Sequence, residues 1–240
     1  MNTPMTNATL PSSWPAPQPH EHAGRFVTLT PSDPEADAAE LFTAGHDSLA
    51  AQQLWEFMPW GPFADAVAMR AWMRAWQSAP EELAFTVRTV PGLKVGMISL
   101  MQIRPAHGVA ELGGIWYAPG AQRTKINTEG VYLLLRHLFD ELGYRRAEWK
   151  CDNRNERSKA AALRLGFQFE GLFRQHLVIK GRNRDTAWFA MLDGDWPQRK
   201  ASLEHWLYTD DSTPLSQLHA EIVSSTTGAA DRTPAAPSGQ

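Results

Sequence analysis

The chain has 240 residues, 43% of them hydrophobic and 20% charged, with a formal net charge of −3. That composition fits one sizeable soluble domain with tails, and a charge so near zero gives no general case for nucleic acid. A single cysteine, Cys151, excludes an intrachain disulfide framework and fits a reducing cytoplasm, and no apolar run approaches the ~18 residues of a membrane span.

Residues 1–23 carry five prolines and few large apolar side chains, so they read as a disordered tail. The first cation is Arg25, so this end lacks the basic region of a targeting peptide. His20 and His22 have no further ligand near them in sequence and read as tail residues. Arg25–Leu29 alternates like a short strand. Ser32-Asp33-Pro34-Glu35 opens a helix with a capping residue and an early proline. Gly45 stops that helix after Ala44. Leu54–Phe63 is aromatic and broken by Pro59 and Pro62, which makes it a packed loop. Met69, Trp72, Met73 and Trp76 recur at the spacing of a helical stripe.

Three strands follow at 83–90, 95–104 and 109–118, joined by short Pro- and Gly-bearing turns, which implies an antiparallel meander. Gly113-Gly114 in the third strand suggests either a bulge or close packing of a helix on the sheet. A polar loop, Gln122–Asn127, leads into a helix over 128–142, whose Val131, Leu134, Leu135, Leu138, Phe139 and Leu142 form one stripe. Arg123 and Lys125 at that helix start oppose its dipole; an anion docked on the free N–H groups would balance them, and a solvated loop is the alternative. Arg146–Cys151 is a strand reached through a crossover helix, so it should lie parallel to its neighbour in a mixed sheet. A short helix over 155–165 precedes a hairpin of 167–179 and 185–192. A last helix runs from Trp196 to Trp206, and residues 210–240 read as a second disordered tail around a domain of 24–209.

Two stretches carry a resemblance. Gln122 and the Thr128-Glu129 pair resemble the acyl-CoA pyrophosphate loop of the GNAT N-acetyltransferases, in the branch that includes the ribosomal-protein acetyltransferases. Lys125 and Asn127 depart from it, because they stand where that loop has small residues. The run Asn155-Glu156-Arg157-Ser158, followed by Gly166-Phe167-Gln168-Phe169-Glu170-Gly171, resembles the second and more specific pattern of the same family. With the order of elements, the likeness covers roughly residues 24–207. It implies an α+β acyl-CoA N-acyltransferase fold: an antiparallel meander plus a parallel central pair, with helices on both faces. It also implies acetyl-CoA as co-substrate and a primary amine as acceptor, on a protein or peptide N-terminus or a small molecule.

The resemblance further implies roles for named residues. The backbone of Ile115, Trp116 and Tyr117 would pair with pantetheine, and an N–H freed by the glycine pair would meet the thioester oxygen. Gln122, Arg123, Thr124, Lys125, Ile126, Asn127 and Thr128 would hold the pyrophosphate. Asn155 would bond the cofactor arm, and Ser158 would position the sulfur or protonate the leaving thiolate; otherwise Asn155 is an N-cap with Ser158 at its third helical position. Glu111 is the first candidate base, Glu170 its rival, and Glu148 and His176 weaker ones, with a water chain as a further route. Trp55, Trp60 and Phe63 would line the acceptor cleft, where an ammonium can meet aromatic faces. Arg182, Arg184 and Asp185 read as surface, with an ion pair, a homodimer contact or acceptor recognition as the other readings. Cys151 reads as an inert core thiol. No metal-spaced Cys/His set, Walker loop, dinucleotide fingerprint or hydrolase elbow occurs, so no metal, nucleic acid or membrane partner is expected. The rival from another class is a non-catalytic acyl-CoA-binding protein with a degenerate GNAT site, and an interaction module stands last.

Overall fold

A computed structural model describes residues 10–220. Eight strands form one sheet: β1 His22–Ala23, β2 Val27–Pro31, β3 Leu83–Thr89, β4 Lys94–Arg104, β5 Val109–Tyr117, β6 Arg146–Asp152, β7 Gln168–Ile179 and β8 Arg182–Leu192. Their order across the sheet is β1-β2-β3-β4-β5-β6-β8-β7. Every neighbouring pair is antiparallel except β5 and β6. The parallel pair arises because α4, Lys125–Arg136, carries the chain back across the sheet between them. The meander before it is joined by tight turns that need no crossover.

The other helices are α1 Pro34–His46, α2 Leu49–Gln52, α3 Ala66–Gln77, α5 Glu156–Arg164 and α6 Trp196–Tyr208. Short polar side chains start five of the six helices by accepting first-turn N–H groups: Asp33, Ser48, Asp65, Thr124 and Asn155. Two cores lie on opposite faces of the sheet. Val27, Leu29, Phe85, Leu112, Tyr117 and Trp149 pack with the apolar stripe of α4, including Val131, Leu134 and Leu138. Met97 and Trp116 turn the other way, onto Trp55, Met69, Met73 and Trp76 beneath α1 and α3. Burying each such side chain contributes about 1.5–3 kcal/mol. No helix among the described residues is long and apolar enough to cross a membrane.

The structure corrects several boundaries. α4 begins at Lys125 rather than 128, because the Thr124 side chain caps it. Its end continues as a π turn, His137–Glu141. β8 begins at Arg182 rather than 185: Lys180 and Gly181 take φ of 49° and 72°, the positive pair of a tight hairpin turn. Arg182, Arg184 and Asp185 therefore lie in a strand.

The tail expected over 1–23 is not a tail in its described part. Trp14 is 9% exposed and packs on Gly108, and its indole donates to the Gly143 carbonyl at 2.7 Å. His22 and Ala23 pair with Leu29 and Thr28. At the other end, residues 215–220 are helical, with Leu215 and Leu218 buried. One aromatic or two leucines at the right place outweigh a polar average. Residues 1–9 and 221–240 of the expected tails lie outside the described residues.

Candidate active site

The parallel strands pair over three positions only: Val109 with Arg146, Ala110 with Ala147 and Glu111 with Glu148. Beyond them β5 runs on to Tyr117 and β6 to Asp152 with no pairing between the two. A wedge opens there, and the β6-facing edge of β5 has no strand partner among the described residues. Along the other edge of β5, pairing steps from Met97–Trp116 to Ser99–Gly113, two residues of β4 against three of β5. The extra residue is a bulge, and Gly114 carries the positive φ of 61° that it needs. A Cβ on Gly114 would lie 2.7 Å from the Trp76 ring, so α3 also packs closely there. Both expectations for the glycine pair hold.

At the mouth of the wedge stands the start of α4. The Thr124 hydroxyl donates to the Ala121 carbonyl at 2.7 Å and accepts from Ile126 N–H at 3.3 Å. Gln122 donates to the Tyr117 carbonyl at 3.0 Å, tying the loop to the end of β5. The positive φ of the loop, 59°, falls on Arg123, which is exposed. Lys125 and Asn127 sit in the first helical turn, where a side chain is no obstacle, so their departure from small residues is harmless to the backbone. Lys125 reaches away to the C-terminal segment, donating to the Leu207 carbonyl at 3.1 Å and pairing with Asp211 at 3.2 Å. The Asn127 side-chain oxygen is buried without a partner among the described residues.

Thr128 and Glu129 are fully buried in the next turn rather than at the helix start. Thr128 accepts from Arg164 of α5 at 3.1 Å, and burial pulls that guanidinium below its ordinary pKa. Sequence reasoning passed over Arg164, whose partner is 36 residues away.

On the α4 side of β6, Trp149 donates to the Ser158 hydroxyl at 3.0 Å, and Ser158 N–H donates to Asn155 at 3.1 Å. The capping reading of this pair is therefore present. Burial pushes the Cys151 thiol up, against a hydrogen bond with Ser158, so it is a protonated core thiol.

The opposite face of the wedge is charged. Lys150 lies 2.8 Å from Glu111, 3.3 Å from Glu148 and 4.0 Å over the Trp188 ring. Burial raises the Glu111 carboxyl, with Lys150 opposing. Burial also acts to raise Glu148, but the Arg146 hydrogen bond and the charges of Lys150 and Arg104 outweigh it and hold it low. Glu170 is exposed and takes both ends of the Arg146 guanidinium, at 2.8 and 2.6 Å. That places Glu170 at the closed end of the strand pair, away from the wedge. His176 lies exposed on β7, 3.0 Å from Thr186.

A carboxyl that the sequence did not single out lies here. Glu82 accepts from the Trp76 indole at 3.3 Å. Burial raises it to about 7; the Trp76 bond opposes that and nearby Glu111 adds to it. Trp76 thus touches both Glu82 and the bulge glycine. Around it Trp60 and Trp72 stand 4.3 and 4.8 Å away, with Phe63 against Trp72 at 5.1 Å. Trp60 and Phe63 are half-buried wall. Trp55 is fully buried core, packed on Trp116 and donating to Gly45 at 2.9 Å. A shallow cleft of about 420 Å³ beside the α4 start, lined by Arg25, Phe26, Val90 and Ile126, opens on the β2–β3 side and so lies away from the wedge.

Residues 27–168 match the acetyltransferase (GNAT) domain, more than half of the chain. The chain belongs to the GNAT acetyltransferase family. The wedge, the bulge and the capped helix start of this GNAT chain all fall inside or beside the matched span. It is 37% identical to a GCN5-related N-acetyltransferase from Brucella melitensis, covering 87% of this chain and 98% of that one with a TM-score of 0.83. A probable GNAT acetyltransferase from Chromobacterium violaceum ATCC 12472 is 38% identical, over 82% of this chain and 97% of the other, at a TM-score of 0.75. The ribosomal-protein-serine acetyltransferase of Escherichia coli (strain K12) is 30% identical over 98 residues, 41% of this chain and 54% of that protein. This GNAT chain spans between 54% and 59% of the curated relatives it matches. The fold is also that of the microcin C7 self-immunity acetyltransferase MccE, solved with acetyl-CoA and AMP, at 21% identity, a TM-score of 0.62, and coverage of 70% of this chain and 93% of that one.

Proposed function

We propose that this GNAT chain moves an acetyl group from acetyl-CoA to a primary amine by direct attack in a ternary complex. The observation that carries the reading is the wedge: an unpaired strand edge, a bulge at its base and a capped helix start at its mouth, in one cleft. An extended pantetheine arm fits as the missing strand on Ile115, Trp116 and Tyr117. The pyrophosphate fits the first-turn N–H groups of Lys125, Ile126 and Asn127, with Arg123 as the exposed cation. Asn155 and Ser158 close the other wall.

The amine nitrogen attacks the thioester carbon, whose oxygen is met by an N–H at the bulge. Collapse breaks the C–S bond; the sulfur leaves as thiolate and takes a proton from Ser158 or from water held there. The proton of the amine goes to Glu82, whose affinity near neutrality suits a base better than that of Glu111, which Lys150 already holds. Trp60, Phe63, Trp72 and Trp76 give the amine an aromatic wall. The relative named for ribosomal-protein-serine acetylation supports a protein as the acceptor; a protein N-terminus supplies the primary amine, with small amines as the alternative.

The test is calorimetry with CoA and with pantetheine on the parent and Arg123→Ala, beside thiol release from acetyl-CoA over a panel of amines and N-terminal peptides. Arg123→Ala is expected to weaken CoA about tenfold, a loss of about 1.4 kcal/mol, and to leave pantetheine unchanged. Equal loss for both ligands overturns the phosphate placement. Tight CoA with no amine turned over supports the non-catalytic acyl-CoA-binding reading.

A further inference from the structure

Three imidazoles converge at the far end of α4. His20 and His22 come from the N-terminal segment, and His137 opens the π turn. One nitrogen from each lies within 4.8 Å of the others, and the ring centroids stand 4.2, 4.8 and 4.8 Å apart. His22 and His137 are each 3% exposed, and Nε2 of both is buried with no hydrogen-bond partner among the described residues. Burying one polar atom in that state costs about 1–3 kcal/mol; two such atoms in one cluster of imidazoles call for a ligand between them.

Two of the three rings already have a second partner. His137 Nδ1 donates to Glu141 at 2.7 Å, which fixes the tautomer and frees Nε2 as a lone pair. His20 Nδ1 lies 3.0 Å from the Gln18 carbonyl, which frees its Nε2 in the same way. The Phe85 ring packs on His22 at 5.2 Å. Arg136, whose Nε lies 3.8 Å from Glu141, is the cation beside the cluster.

We propose that His20, His22 and His137 form a three-imidazole site for a divalent transition ion, best matched by Zn²⁺, with Glu141 orienting His137. Zinc at about 2.0–2.1 Å from each nitrogen sets tetrahedral ligands roughly 3.3 Å apart. Rotation of the exposed His20 supplies the adjustment. His137 lies 12 residues beyond Lys125, about 18 Å along the helix axis from the proposed pyrophosphate site. The ion joins the N-terminal segment to α4, two parts of the chain more than a hundred residues apart.

The full chain, purified without a polyhistidine tag and stripped with EDTA, is titrated with Zn²⁺ and with Co²⁺. One ion per chain is expected, with the visible bands of tetrahedral Co²⁺ and a melting temperature that rises with free Zn²⁺. His20→Ala changes only an exposed side chain and is expected to weaken Zn²⁺ at least tenfold. Glu141→Gln is expected to weaken it about ten- to a hundredfold. The proposal fails if no stoichiometric ion binds. It fails equally if His20→Ala and His22→Asn bind Zn²⁺ as tightly as the parent, which would put the ion elsewhere on the chain.

Discussion

Replacing Glu129 by Gln is expected to cost roughly 3–5 kcal/mol of stability. The carboxylate is fully buried in α4. One oxygen accepts from Phe26 N–H at 2.6 Å and Val27 N–H at 2.8 Å; the other accepts from Arg25 N–H at 2.8 Å and the Tyr208 hydroxyl at 2.9 Å. This one side chain holds the entry to β2 against α4. Glutamine keeps the shape and can leave its oxygen on Phe26 and Val27. Those two bonds then fall from charge-assisted to neutral, a loss of about 1 kcal/mol each. The amide nitrogen is left facing the Arg25 N–H, donor against donor, for about 1–3 kcal/mol more. Tyr208 can rotate and accept, so it adds little. For a domain of this size the melting temperature should fall by roughly 6–20 °C. Urea unfolding followed by tryptophan fluorescence gives the free energy, and calorimetry gives the melting temperature. Tyr208→Phe loses a single bond and should cost about 1–2 kcal/mol. A Glu129→Gln loss below about 1 kcal/mol would refute the anchoring role.

Glu82 holds its proton more tightly folded than its ordinary 4.5 allows, up to about 7. Its contribution to stability is therefore complete below 4.5 and is lost as pH rises through about 7. Glu82→Gln should flatten stability over that window, measured by urea midpoints at a series of pH values. In the parent, acetyl transfer should rise with pH through the same window, and the variant should lose that limb; an unchanged rate profile removes Glu82 as the base. Trp14→Ala should cost about 3 kcal/mol or more, seen as a lower urea midpoint, and no change would return residues 10–23 to the status of a tail.

Elements held by local chemistry were readable in the chain. The Pro91-Gly92 turn, the i, i+3, i+4, i+7 spacing on α3 and the crossover helix each carry their instruction within a few residues. They led to the single mixed sheet with its one parallel pair. What escaped depends on partners distant in sequence. Glu82 stands in a turn and looks solvated until Trp76 and Glu111 close over it. Glu170 has the right neighbours in sequence, but the Arg146 guanidinium occupies it. Thr128-Glu129 looks like a helix start by pattern, yet Thr124 caps the helix a turn earlier and Glu129 turns inward to hold β2. His20 and His22 lacked a third imidazole in any window, because His137 reaches them only through the fold.

The short joint between β5 and β6 has a mechanical consequence. The sheet is in effect two plates, β1–β5 and β6–β8, riveted by three rungs and spanned on one face by the shared core beneath α4. Shear and opening concentrate where rungs are fewest, so the backbone edges beyond the third rung are the part of the sheet free to move, with the shared core as their hinge. Amide protons on the inner edges beyond Glu111 and Glu148 should exchange with solvent faster than those of the long β7–β8 ladder. A ligand arm laid along that gap, as proposed above, would add rungs the strands themselves lack, so binding would stiffen this joint and release would loosen it.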